Sequence, residues 1–88
     1  MPEIKLTITH KVGLHARPAS IFVKTAAEFS SDIEVTHGDK TVNAKSILAV
    51  LTLGAHQGSE IVVKAEGDDA EDALSALEEL VTNNFGED

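Results

Sequence analysis

Ile33-Glu34-Val35-Thr36-His37-Gly38-Asp39-Lys40-Thr41-Val42-Asn43 is the stretch that decides the fold. Ile33 and Val35 alternate with Glu34 and Thr36, the period of a strand with one buried face. His37-Gly38-Asp39-Lys40 then makes a hairpin turn into a second short strand, Thr41 to Asn43. Upstream, Ile4, Leu6 and Ile8 alternate with Lys5, Thr7 and Thr9 and predict another half-buried strand. A loop follows from His10 to Leu14, in which Gly13 supplies backbone freedom. A helix is expected from about Ala16 to Phe29, with Ala19, Phe22, Val23, Ala26 and Phe29 along one face. Pro18 is tolerated in a first turn but biases Arg17 away from helical geometry, which leaves the helix start open. Ser30-Ser31-Asp32 ends this helix.

Downstream, Ser46 reads as the N-cap of a short helix, Ile47 to Leu53, stopped by Gly54. Gln57-Gly58 turns into a strand from Glu60 to Ala65, with Ile61, Val63 and Ala65 facing inward. Asp69 caps the last helix, whose apolar face carries Ala70, Ala73, Leu74, Leu77 and Val81. Glu71 and Asp72 in its first turn suit the helix dipole. The order is β-α-β-β-α-β-α. Strands with one apolar face need one covering layer, so the expected class is α+β: a two-layer open-faced sandwich, with a four-stranded, mainly antiparallel sheet covered on one side by three helices. Phe22, Phe29 and Phe85 are expected in the core or at helix ends.

Composition bounds what such a fold can do. The 88 residues read as one domain spanning 1–88, of a size that buries roughly 60–65% of the unfolded surface. With 42% hydrophobic residues, that suffices for a core. No cysteine is present, which suits a reducing cytosol and rules out thiolate metal sites. Met1-Pro2-Glu3-Ile4-Lys5 lacks the features of a signal peptide, and no apolar run approaches the ~20 residues of a membrane span. A cytoplasmic protein without direct membrane insertion is expected.

The net charge of −8 argues against nucleic acid, and its distribution says more. Up to Ala65 there are seven bases against six acids; from Glu66 onward there are nine acids and no base. Lys5, Lys11, Arg17 and Lys24 occupy a window between Glu3 and Glu28 that holds no acid. Lys40 and Lys45 occupy a second such window between Asp39 and Glu60. A surface that receives phosphate or docks an acidic partner has this pattern, as does a chain whose acids simply gather on one solvated helix.

The chemistry concentrates in Gly13-Leu14-His15-Ala16-Arg17-Pro18-Ala19. First-turn amides of a helix lack partners inside it, and the dipole makes that end an anion site. A positive end disfavours a protonated imidazole, so His15 keeps a lone pair and can act as a nucleophile. Arg17 adds a planar fork of donors suited to phosphate oxygens. The plainer reading is a surface histidine and a solvated arginine. Ile47, Leu48 and Leu51 exceed what a short helix can bury, which marks either a docking patch or three core residues. As a patch they join Ala16, with Arg17, Lys24 and Lys45 as a basic rim for acidic partners. The four histidines lack the spacing of helical metal ligands, so neither metal nor cofactor is expected.

The motif around His15 and the stretch Lys45-Ser46-Ile47-Leu48-Ala49-Val50-Leu51-Thr52-Leu53-Gly54, at this separation and in this element order, give a chain that resembles HPr. These are the histidine-containing phosphocarriers of the bacterial phosphoenolpyruvate-dependent sugar phosphotransferase system, and the likeness covers essentially all 88 residues. The resemblance implies a monomeric, stoichiometric carrier rather than an enzyme. His15 would accept a phosphoryl group from enzyme I and pass it to IIA domains of sugar transporters, with Arg17 orienting the phosphate. It further implies that Ser46 is a regulatory phosphorylation site, served by a serine kinase/phosphorylase and read by a transcription regulator. The same serine is what an N-cap requires. Leu48 and Leu51 stand where serine-regulated members often carry methionine, and Ala49 where they carry glycine, a stiffer version of the same apolar face. Apart from the resemblance, the same architecture would serve a regulatory ligand-binding module. In that case His15 is a bystander and the apolar helix face an oligomer interface. A hydrolase would need a second catalytic group beside His15, and none accompanies it.

Overall fold

The computed structural model describes residues 2–11 and 16–86. Four strands, β1 (Glu3–Thr7), β2 (Asp32–His37), β3 (Lys40–Asn43) and β4 (Glu60–Glu66), form one sheet in the order β1-β4-β2-β3. Every neighbouring pair is antiparallel. Helices α1 (Ala16–Ala26), α2 (Ile47–Leu51) and α3 (Ala70–Thr82) cover one face, and a 3-10 turn, Asn84–Gly86, follows α3. The expected open-faced sandwich is the one observed.

Register explains the layering. Val63 of β4 lies opposite Ile4 on one side and Val35 on the other, and Val35 lies opposite Val42. Leu6 pairs with Ile61, and Ile33 with Ala65. All of these side chains point to the helices, where Ile33, Val35, Ile61, Val63 and Ala65 are buried against Phe22, Leu77 and Val81. The opposite face is polar: Lys64 lies between Glu3 and Glu34, and its Nζ is 3.9 Å from Glu3 Oε1. Thr36 and Thr41 link their hydroxyls at 2.8 Å. The hairpin turn is two residues long, with Gly38 at φ +61 in the first central position, the residue a tight hairpin of this kind demands there.

Two helices are shorter than their hydrophobic pattern predicts, for the same reason. After Ala26 the chain tightens: Glu28 N–H donates to Thr25 and Phe29 N–H to Ala26, both three residues back. After Leu51, Thr52 and Leu53 bond three residues back to Ala49 and Val50, before Gly54 turns at φ +68. Such 3-10 closures keep the apolar residues in place while ending the α-helix. At its start, α1 includes Ala16 and Arg17 ahead of the buried Pro18, so the bias that proline exerts on its predecessor is overridden there.

The expected cap at Asp69 requires correction. Asp69 occupies the N-cap position of α3, but its side chain makes no cap bond. Its carboxylate instead accepts from the backbone N–H groups of Ser30 and Ser31, each at 2.9 Å, and from the Ser31 hydroxyl. The α1–β2 loop offers two adjacent amides, and charge-assisted bonds to them outcompete the local cap. Gly67 permits this close approach: at φ +147, a Cβ there would lie 2.8 Å from Ser31 Cα.

The bonds from Ser31 and Ser30 hold the Asp69 carboxyl down to about 2 from an ordinary 3.8. A carboxyl depressed in the folded state stabilises the fold above its unfolded pKa, and this contribution is lost as pH falls through the folded value. Asp69→Asn should therefore melt at a lower temperature than the parent at neutral pH. The gap should shrink as pH drops from about 4 to 2, because only the parent has this contribution to lose. Thermal melts across that window check it; a gap independent of pH contradicts the clamp.

Candidate functional site

Two elements meet beside the covered face of the sheet. Helix α1 starts at Ala16 and packs along α2. Ala16 and Arg17 are exposed at its first turn, where backbone N–H groups have no carbonyl within the helix to receive them. No acid lies in that turn, so the positive end of the helix is not neutralised from within. Lys24 is exposed in the last turn, the favourable end of the dipole for a cation. His15 and the neighbouring Gly13 and Leu14 lie outside the described residues.

Helix α2 has five residues and carries no charge in its first or last turn. Its side chains divide sharply. Val50 is fully buried, whereas Ile47, Leu48 and Leu51 are exposed by 39%, 75% and 38%. All three lie outside the core cluster. A helix this short is not stable by itself. Three bonds from neighbouring groups brace it. At the front, Ser46 sits in extended geometry and its hydroxyl accepts from Ala49 N–H at 3.4 Å, the expected N-cap. At the back, Lys40 Nζ donates to the Thr52 carbonyl at 3.1 Å. His37 Nδ1–H donates to the Leu53 carbonyl at 2.8 Å. Neither rear brace is legible locally, because β3 and the end of β2 supply them from more than ten residues away.

Lys45 takes a role that the charge pattern does not reveal. It is half-buried, and its Nζ donates to the Phe29 carbonyl at 2.7 Å, closing the loop after α1. Its backbone N–H is received by Asn43 Oδ1 at 2.8 Å. Lys45 thus ties the residue before Ser46 to the end of α1, while Arg17 and Lys24 carry the exposed basic charge on α1 itself.

His37 and His56 approach with ring centroids 6.5 Å apart, closer than their positions in the sequence suggest. Among the described residues, no group of three or more potential ligands could hold a metal ion. No helix among them is long and apolar enough to cross a membrane.

The arrangement is therefore a positive helix end with no acid in its first turn and an exposed apolar face, carried on two helices that pack together, with basic side chains on α1. Comparison with known proteins gives it a family. The family model described as the PTS HPr component phosphorylation site matches residues 2–83. Phosphocarrier protein HPr of Xylella fastidiosa is 44% identical over 88 residues, covering all of this chain and 99% of that protein. The crystal structure of an HPr from Thermoanaerobacter tengcongensis superposes with a TM-score of 0.97 at 50% identity, covering 100% of this chain and 99% of the other. A crystal structure described as an HPr dimer from the same organism superposes at 0.80, again at 50% identity, covering 99% and 100%. With the site built and the whole length matched, the chain belongs to the HPr family, the phosphocarriers of the phosphotransferase system.

Proposed function

We propose that the chain, acting as a single unit of residues 1–88 in the cytoplasm, accepts a phosphoryl group on His15 from enzyme I and passes it to IIA domains of sugar transporters. The observation that carries this reading is the exposed first turn of α1 at Ala16 and Arg17, immediately after His15 in the sequence and free of acid. In the transfer, an imidazole nitrogen of His15 attacks phosphorus. The N–P bond forms as the bond from phosphorus to the donor histidine breaks, and that electron pair returns to the leaving imidazole. The product is again a labile phosphoramidate, so the step is near-reversible and the group can move on. The first-turn amides and the Arg17 fork stabilise the equatorial oxygens without a metal or cofactor. The chain is a stoichiometric carrier, not an enzyme, and works as a monomer, because each transfer needs the same face open to a partner.

Incubation with enzyme I and phosphoenolpyruvate should place one acid-labile phosphate on the parent and none on His15→Ala, with the fold unchanged. Label on the Ala variant would falsify the assignment. Arg17→Lys keeps the charge but loses the bidentate fork. One charge-assisted hydrogen bond of about 1.5–3 kcal/mol corresponds to a roughly 10- to 150-fold loss in kcat/KM.

Partners are proposed to dock on Ala16, Ile47, Leu48 and Leu51, steered by Arg17, Lys24 and the neighbouring Lys45. Of Ile47, Leu48 and Leu51, Leu48 is the most exposed. Leu48→Asp should leave unfolding within about 0.5 kcal/mol of the parent. It should weaken binding of enzyme I by about tenfold, the loss of one well-placed apolar contact. Unfolding of this variant, or unchanged affinity, places the patch elsewhere.

Ser46 is proposed as a regulatory phosphorylation site for a serine kinase/phosphorylase, with the modified form read by a transcription regulator. A phosphate would add about −1.5 to −2 charges at a helix start that tolerates them, beside a surface that attracts acidic partners. Ser46→Asp should keep or raise the melting temperature while slowing phosphorylation by enzyme I. A variant that accepts phosphate at the parent rate leaves Ser46 as a cap alone.

A further inference from the structure

Beyond β1 the chain is tied to its own far end before it reaches the site. Thr9 Oγ1 donates to Asn84 Oδ1 across 75 residues. Gln57 Nε2 reaches the Thr9 carbonyl at 3.5 Å. His10, only 8% exposed, sets its ring edge-on to Phe85, with centroids 5.7 Å apart. Just before these residues, Ile8 N–H donates to the Ser59 carbonyl and Gly58 N–H to the Ile8 carbonyl, both at 2.8 Å. Thr9 and His10 are thus held from two sides.

The turn that holds them has an uncommon backbone. Asn84 and Phe85 both lie in the left-handed region, at φ 53 and 59. Asparagine visits it readily, but for a bulky aromatic it is an outlier that persists only where the surroundings over-determine it. Here they do: the Phe85 side chain is 3% exposed, in the core and against His10. Simple termination of α3 requires neither two left-handed residues nor a side-chain bond back to Thr9. Backbone of this kind gathers where a structure must hold one geometry against alternatives.

We propose that the Asn84–Phe85 turn is a positioning element for phosphoryl transfer: through Thr9 and His10 it fixes the point from which the chain departs towards His15, as α1 fixes the point at which it arrives. This rests on the reading of His15 as phosphoacceptor. Neither Asn84 nor Thr9 needs to touch the phosphate. Their effect is on orientation, to which in-line transfer is steeply sensitive, a misplacement of about 1 Å being able to cost on the order of 100-fold. The elements that carry Ile47, Leu48 and Leu51 are separate from this clamp, so orientation and docking should respond separately to mutation.

The test uses the full chain with enzyme I and phosphoenolpyruvate, following label on His15 over a range of carrier concentrations. Thr9→Val removes the donor, and Asn84→Gly removes the acceptor while accommodating positive φ. Both should lower kcat by about tenfold, and KM for the carrier should stay within about twofold of the parent. Thr9→Ser restores the hydroxyl and should recover kcat. Amide hydrogen exchange of residues 9–11 should accelerate in the two impaired variants and not in Thr9→Ser. Unchanged kcat in Thr9→Val and Asn84→Gly overturns the proposal, as does a loss that Thr9→Ser fails to recover. If His15→Ala takes up label as the parent does, the phosphoacceptor reading itself fails and the positioning role falls with it. The parent and His15→Ala controls tell that failure from failure of the clamp alone.

Discussion

The placement of β4 between β1 and β2 is the constraint on which the rest of the structure depends. Val63 is opposed by Ile4 and Val35 at once, and the neighbouring Leu6–Ile61 and Ile33–Ala65 pairs repeat the arrangement on the same face. Because side chains alternate along a strand, a slip of one residue in β4 would turn Ile61, Val63 and Ala65 outward and bring Glu60, Val62 and Lys64 against the helices. Burying Lys64 or Glu60 unpaired costs far more than any local preference could offset. Register is thereby fixed, and with it the positions of both chain segments that leave the sheet towards the site.

On that sheet the helices do different work. Most of α3 is anchored by Ala73, Leu74, Leu77 and Val81, a broad apolar face at helical spacing. Helix α2 buries Val50 and leaves three larger residues in solvent. A five-residue segment with that ratio cannot hold itself by burial, so it borrows order from Ser46, Lys40 and His37. Each brace is a hydrogen bond to the backbone rather than a side-chain contact on the outer face. The helix thereby stays formed with Ile47, Leu48 and Leu51 exposed.

Much of this was legible in the chain because it is local. Alternation in β1, β2 and β4, the Gly38 hairpin, the Ser46 cap, the Gly54 stop and the apolar face of α3 each follow from residues a few positions apart. The surplus of apolar residues in Ile47–Leu51 was readable as either patch or core, and the exposure of Ile47, Leu48 and Leu51 is a tertiary fact that the local pattern does not carry. What was not legible joins distant positions. Asp69 has the local signature of a cap, yet its carboxylate serves amides 38 and 39 residues earlier. Lys45 has the signature of a surface charge, yet it closes the end of α1. The left-handed Phe85 leaves no local signal, although Asn84 beside it is a residue that readily takes such geometry, and the contacts of both reach 75 residues upstream. Pattern reading sees which groups need partners; which partner wins depends on tertiary competition.

That competition has a direction. Glu71, Asp72, Glu78 and Glu79 lie on α3, which carries no base, while Arg17 and Lys24 lie on α1, which carries no acid. Asp69, at the N-cap position of α3, is turned inward to neutralise backbone donors. The first turn of α1 holds no acid to offset its positive potential. A phosphocarrier must bind its phosphoryl group well enough to receive it and loosely enough to release it. In the proposed role of the first turn of α1, backbone dipoles would meet both needs, because helix amides are held in place and require no rearrangement when the charge arrives or leaves.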